Sequence, residues 1–375
     1  MKVFTLVGTR PELIKLSSTI KELDRSVEHI LVHTGQNFDY ELNEVFFEQL
    51  GIRKPDFFLN AAGSNPAQTI ANVITKVDDL LEKILPDAFL VYGDTNSCIG
   101  VISAKKRQIP IFHMEAGNRC FDQRVPEEVN RKIVDHLSDV NMVLSEHARR
   151  YLIMEGIRPE TIIKTGSSML EVLNEHKEAI ENSKVLEEES LQKQDYIIVS
   201  THREENIDTP QNFQALLDTL EELQKHFQKT IIVSTHPRTR KKLESLGFSN
   251  QNNQIRYMKP FGFFEYIKLQ KEAFCVVSDS GTITEEASLL KIPAVTIRQA
   301  HERPEGMDEG TLIMTGLNPQ NVINAIEVTR NHFKDKIPFD VVDDYAVESV
   351  SKKVVKIILS YTGYINRTVW KKNEI

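Results

Sequence analysis

Short apolar runs rich in β-forming residues alternate with longer amphipathic stretches along the whole chain, and that alternation excludes most architectures. The runs lie at 2–7, 30–33, 88–92, 110–113, 140–144 and 161–164, then at 196–200, 230–234, 254–258, 274–278 and 294–297. Helical patterns such as 66–85, 127–136, 210–226 and 318–333 fall between them. Strands apolar on both faces must be covered on both faces, so the pattern predicts an α/β protein with parallel sheets and helices on each side.

At 375 residues the chain exceeds one core of ordinary size. The stretch 174–194 is dense in Glu, Lys, Ser and Gln, has no strand pattern, and separates two series of strand–helix units. The expectation is two doubly wound domains, 1–173 and 174–354, facing each other across a cleft. The amphipathic segment 345–361 would cross back, with a helix at about 355–375 packing on the first domain. A net charge of −8 argues against non-specific nucleic-acid binding, so an anionic ligand needs local arginines and helix N-termini. No apolar run approaches the ~18 residues of a membrane span. The run from Met1 passes straight into a strand, without the flanks of a signal peptide. Cys98, Cys120 and Cys275 have no metal or redox spacing and read as idle thiols of a cytoplasmic protein.

The densest chemistry follows the strand that ends near Phe112: His113-Met114-Glu115-Ala116-Gly117-Asn118-Arg119, then Arg124 to Arg131 with Glu127 and Glu128. The strand 88–92 ends likewise in Gly93-Asp94-Thr95. Acids past strand ends, with a histidine and arginines, suggest proton chemistry on an anionic substrate, because such ends open onto the ligand crevice of an α/β sheet. The alternative is a set of solvated polar loops.

Two helix starts suit an anion. Val7-Gly8-Thr9-Arg10-Pro11-Glu12-Leu13-Ile14-Lys15 places a glycine turn before a proline-led helix, although a plain βα turn with surface bases would read the same way. Ser278-Asp279-Ser280-Gly281-Thr282-Ile283-Thr284-Glu285-Glu286 offers hydroxyls and amides to phosphate, and Glu286 could bind a ribose diol. Its alternative is a capping box of Thr282 and Glu285. GxGxxG and GxxxxGK[ST] are both absent, so NAD and ATP lack their usual support. Clusters after later strands are Thr201-His202-Arg203-Glu204-Glu205-Asn206, Thr235-His236-Pro237-Arg238 and Arg298 to Glu305. No metal-ligand spacing appears. A nucleotide diphosphate joined to a sugar fits these groups, while transfer, isomerisation and hydrolysis all stay open.

Taken together, these motifs resemble the non-hydrolysing UDP-N-acetylglucosamine 2-epimerase family through nearly the whole chain. The carriers are Gly8-Thr9-Arg10-Pro11-Glu12 with Lys15, Thr34-Gly35-Gln36, Gly93-Asp94-Thr95, His113 to Gly117 with Arg119, Pro126-Glu127-Glu128 with Asn130-Arg131, His202-Arg203-Glu204, Asp279-Ser280-Gly281, Glu285-Glu286 and Glu302-Arg303-Pro304-Glu305. The resemblance implies two Rossmann-like domains in a glycosyltransferase-B arrangement, a homodimer, and no metal or NAD. It implies Asp94, Glu115 and Glu127 as acid/base groups and His202 as support for the departing diphosphate. Arg10, Lys15, Arg131, Ser280, Gly281, Thr282 and Arg303 would bind substrate, Glu286 the ribose and Tyr266 the uracil. Within the family the chain is most similar to the branch of capsule and O-antigen synthesis that forms UDP-N-acetyl-L-fucosamine, on Leu16 to Lys21, Ile30 to Asn37 and His113 to Asp122.

Departures from the family pattern are informative. Asn37 stands where the regulatory site for UDP-GlcNAc usually has histidine, which puts that activation in doubt. Thr282 replaces the second glycine of Ser-Gly-Gly, and His301 opens a motif that usually begins with threonine. Met114 and Asn118 flank the expected acid Glu115 and point to an altered sugar. Competing readings are a UDP-GlcNAc/UDP-ManNAc 2-epimerase, a glycosyltransferase of the same fold, a hydrolysing epimerase and a non-catalytic sensor.

Overall fold

The computed structural model describes residues 1–36, 46–235, 237–248, 250–300, 302–334 and 336–372, the side chains of 204, 205, 237 and 238 excepted. Asn37, His236 and His301, and the side chains of Glu204, Glu205 and Arg238, therefore lie outside the described residues. The chain divides into two compact units, Met1–Glu175 with Asp344–Ile375, and His176–Asp343.

Unit 1 carries strands β1 (Lys2–Val7), β2 (Glu28–His33), β3 (Phe57–Phe58), β4 (Ala88–Tyr92), β5 (Ile111–Ala116), β6 (Val140–Val143) and β7 (Ile162–Lys164). They form one sheet in the order β3-β2-β1-β4-β5-β6-β7, and the pairs are parallel. Val3, Phe4, Leu6 and Val7 are all sealed from solvent because helices cover both faces. Phe4, Leu6, Phe89 and Val91 pack with Val73, Val77 and Leu81 of α2 (Pro66–Ile84). Leu13, Leu16 and Ile20 make the buried stripe of α1 (Arg10–Ser26), as the helical period requires. The helix α3 (Glu127–Leu137) follows β5.

Unit 2 carries β8 (Tyr196–Thr201), β9 (Thr230–Thr235), β10 (Ile255–Met258), β11 (Cys275–Ser278), β12 (Ala294–Thr296) and β13 (Ile313–Met314), in the order β10-β9-β8-β11-β12-β13. Alternate strand residues diverge to opposite faces. Ile197, Val199, Ile231 and Val277 meet α4 (Pro210–Phe227), while Tyr196, Ile198, Ile232 and Val276 share a core with Leu269 of α5 (Phe263–Glu272) and Ala287 of α6 (Ile283–Leu290). The helix α7 (Pro319–His332) adds Val322 and Ile326 to the first of these cores.

The chain rejoins unit 1 at Asp344, ahead of the helix expected to mark the return. The carbonyl of Asp344 accepts from the Ser167 amide at 3.0 Å, and its carboxylate pairs with Lys164 at 2.7 Å. Residues 344–354, grouped with the second half by sequence, thus sit with unit 1. The last helix, α8 (Val350–Thr368), buries Val354, Val355, Ile358 and Ile365 and packs on α1. Cys98, Cys120 and Cys275 are buried free thiols. Among the described residues no helix is long and apolar enough to cross a membrane.

Candidate active site

The strand order of unit 1 reverses between β1 and β4, and loops at the carboxyl ends of such a pair diverge to leave a crevice. The turn after β1 needs its glycine. A Cβ at Gly8 would come within 1.8 Å of Ser97 Oγ and 2.3 Å of Thr34 Oγ1. Glu12, in the first turn of α1, folds back to accept from the Gly8 amide at 2.5 Å and the Thr9 amide at 3.2 Å. It also accepts from the Thr95 hydroxyl, so one carboxyl ties the β1 turn to the β4 loop. Burial pushes this carboxyl up to about 7, against the lowering effect of those three bonds and with Asp94 nearby adding to the rise.

Asp94 follows β4 and accepts from Arg131 Nε at 2.7 Å. The same guanidinium reaches Glu128 from Nη1 at 2.9 Å, and Asn130 Nδ2 donates to the Asp94 carbonyl at 2.9 Å. Asn130 and Arg131 of α3 thereby fix the β4 loop, with Glu128 bracing Arg131. Glu127 opens that helix, half-buried, one position ahead of Glu128.

Glu115 differs from its expected place. It lies inside β5 rather than beyond it, at a bulge where the register with β6 shifts between Met114 and Ala116. Its φ of 63° is in the left-handed region, which costs a side-chain-bearing residue about 1–3 kcal/mol and concentrates at functional sites. Oε2 accepts from Tyr92 Oη at 2.5 Å and from Lys15 Nζ at 3.4 Å, and Oε1 accepts from Asn118 Nδ2 at 3.3 Å. Lys15 is buried on α1.

His113 places Nδ1 2.9 Å from Asp135 and Nε2 2.7 Å from the Gly93 carbonyl, so both ring nitrogens hold the scaffold together. Asp135 also binds the Gly117 amide and Arg119, which extends this buried brace beneath the acids. The Arg10 guanidinium lies over the Phe46 ring, 5.3 Å from its centre.

In unit 2 the order reverses between β8 and β11. Asp279, after β11, is wholly buried and accepts from the His202 amide at 3.0 Å, the Arg203 amide at 3.1 Å and Asn206 Nδ2 at 3.0 Å. Burial alone would raise its carboxyl, but His202, Asn206 and the Arg203 amide bring it down to about 2. His202 Nδ1 stands 3.1 Å from Asp279, which orients a ring whose side chain keeps 39% of its surface exposed.

Gly281 precedes α6 and faces a clamp. Glu302 binds Arg298 at 2.8 Å through both oxygens and Arg203 at 3.3 Å. A Cβ at Gly281 would stand 2.8 Å from Glu302 Oε2. Ser280 Oγ and Thr282 Oγ1 lie 3.0 Å apart at the start of α6, and Thr282 makes no side-chain cap. Glu285, the expected capping partner, instead binds Arg303 at 3.1 Å. Glu286 accepts from Gln270 Nε2 at 2.7 Å, and Tyr266 stands one turn before Gln270 on α5. Burial and the nearby Glu286 push the Tyr266 phenol up. Ser280, Gly281, Arg298, Glu302 and Arg303 line one pocket.

Unit 1 thus brings together Asp94, Glu115, Lys15 and Arg131, a set suited to moving protons. Unit 2 brings together Ser280, Gly281 and Thr282 near arginines, a set suited to phosphate oxygens. Sequence reading assigned no role to Glu12 or Tyr92. The spacing Thr9-x-x-Glu12 signals the first, whereas nothing in an aromatic at a strand end signals the second.

The family model described as UDP-N-acetylglucosamine 2-epimerase matches residues 21–359. The chain is similar to the solved UDP-N-acetylglucosamine 2-epimerase of Rickettsia bellii, at 55% identity and a TM-score of 0.91, over 99% of this chain and 100% of that one. It is similar to the Methanocaldococcus jannaschii UDP-GlcNAc 2-epimerase solved in complex with UDP-GlcNAc and UDP, at 31% identity and a TM-score of 0.89, over 96% and 100%. It is also 34% identical to the UDP-2,3-diacetamido-2,3-dideoxy-D-glucuronate 2-epimerase of Pseudomonas aeruginosa, over 87% of this chain and 91% of that one. With the strand orders, the two reversal points and the matched residues in agreement, the chain belongs to the UDP-N-acetylglucosamine 2-epimerase family and is a carbohydrate isomerase.

Proposed function

We propose that the protein inverts C2 of a UDP-2-acetamido sugar, converting UDP-2-acetamido-2,6-dideoxy-L-talose to UDP-N-acetyl-L-fucosamine. The observation that carries the acid/base reading is Glu115, held at a strained bulge by Tyr92, Lys15 and Asn118. A carboxylate removes the C2 proton while the C1–O bond breaks and UDP leaves with the electron pair, giving a 2-acetamidoglycal. UDP then re-adds at C1, and a second group delivers a proton to the opposite face of C2. Two proton carriers are needed, and Glu115 and Asp94 take these roles with Glu127 as a third candidate. The C2 proton is a poor acid, so stabilising the leaving diphosphate lowers the same barrier.

UDP is assigned to unit 2, with the diphosphate on Ser280, Gly281 and Thr282, the ribose on Glu286 and the uracil beside Tyr266. His202 supports the diphosphate as it leaves, and Arg10, Lys15, Arg131 and Arg303 supply positive charge. What favours an altered sugar in this reading is the departure from the family pattern at Asn118, a polar neighbour touching Glu115. The reading places the product in capsule or O-antigen synthesis and takes the working form as a cytoplasmic homodimer.

The test is solvent deuterium incorporation at C2, followed by mass spectrometry and NMR, with UDP-GlcNAc and UDP-2-acetamido-2,6-dideoxy-L-talose offered separately. Label on a sugar that retains UDP is expected with the talose. Label with UDP-GlcNAc alone reassigns the substrate, and no label with either despite UDP binding points to a transferase or a sensor. Glu115→Gln and Asp94→Asn should each abolish exchange while UDP still binds, and full activity in both would remove their assigned roles.

A further inference from the structure

We propose that Tyr92 is a positioning residue of the epimerisation, its hydroxyl holding the Glu115 carboxylate in the orientation that exchanges the C2 proton. The inference rests on the reading of Glu115 as an acid/base group. Tyr92 ends β4 and is 4% exposed, where an aromatic ring alone would serve the core. Its hydroxyl, however, is spent on Glu115 at 2.5 Å.

The backbone sets up this contact. Tyr92 is in register with Met114 across the parallel pair, and the next amide, Gly93 N, donates to the Met114 carbonyl at 2.9 Å. The residue after Met114 is then displaced by the bulge, and its side chain meets the phenol. Of the contacts described for Glu115, that with Tyr92 is shorter than those with Lys15 and Asn118, at 3.4 and 3.3 Å. An O–H···O⁻ bond to a carboxylate is charge-assisted, and a ring locked in the core is a rigid donor. A carboxylate at an uncommon backbone angle has few ways to stay aimed. The phenol supplies one, carried by a ring fixed in the strand.

Tyr92→Phe removes the hydroxyl and keeps the ring. It should lower kcat about 10- to 100-fold with KM within about twofold, since a misplaced acid/base group costs rate rather than binding. Removing a donor from a carboxylate raises its pKa whether the group starts as base or acid, so the limb of the pH–rate profile set by Glu115 should move up by about one pH unit. A purely structural tyrosine would lower the thermal midpoint and leave the profile in place. The experiment compares Tyr92→Phe and Glu115→Gln with wild type, by C2 deuterium exchange from pH 5.5 to 9 with each of the two UDP-sugars and by UDP titration calorimetry. An inactive Glu115→Gln beside a Tyr92→Phe with unmoved profile overturns the role of Tyr92 alone. A fully active Glu115→Gln overturns the reading of Glu115 itself.

Discussion

Glu12→Gln should change stability in a pH-dependent way that isolates one buried proton. The Glu12 carboxyl sits at about 7 in the fold against an ordinary 4.5. Below 4.5 both folded and unfolded chains hold the proton. Between 4.5 and 7 the folded chain keeps it and the unfolded chain releases it, so the stability associated with the protonated form declines as pH rises. The interval is about 2.5 units, which at about 1.4 kcal/mol per unit is about 3 kcal/mol. Glutamine mimics the protonated acid, because its carbonyl can accept from Gly8 and Thr9 while its amide faces Thr95. The variant should therefore match wild type near pH 4 and exceed it by up to about 3 kcal/mol at pH 8. Urea unfolding followed by tryptophan fluorescence reads this directly, since Trp370 is the single tryptophan and lies in unit 1 with Glu12. An equal difference between variant and wild type at pH 4 and pH 8 would refute the buried-proton account.

Gly281→Ala brings a methyl against the clamped Glu302 carboxylate and should weaken UDP binding about tenfold, measured by calorimetry. Arg131→Met leaves the wholly buried Glu128 without its cationic partner, with the Cys120 and Phe121 amides and the Cys120 thiol left to hold it, and should destabilise unit 1 by about 3 kcal/mol in urea unfolding, while releasing Asp94 and lowering kcat.

The strands were legible because parallel strands buried on both faces are apolar without interruption, and Lys2–Val7 and Ala88–Tyr92 fall where their apolar runs fall. The two-residue strands β3 and β13 were not, because edge strands that short leave no periodicity to read. Asp94, Glu115 and Arg131 stood out by type and by place after apolar runs. The bulge at Glu115 did not, since Met114-Glu115-Ala116 contains no glycine to announce a positive φ. The Tyr92 hydroxyl was hidden for another reason, as its partner lies 23 positions away and is set by strand pairing alone. His113 misled in the opposite direction. A histidine beside acids invites a proton-transfer role, yet Asp135 and Gly93 engage both its nitrogens.

The way α8 joins unit 1 also orders events during synthesis. Unit 2 is one uninterrupted segment and can close on itself once residue 343 has left the ribosome. Unit 1 begins first and finishes last, since α1 gains its covering helix only after all of unit 2 has been made. Through that interval the nascent chain carries apolar surface meant for Val354, Val355 and Ile358. A stalled or truncated product ending before Val350 is thus a candidate for chaperone capture, with its later half folded and its earlier half still open.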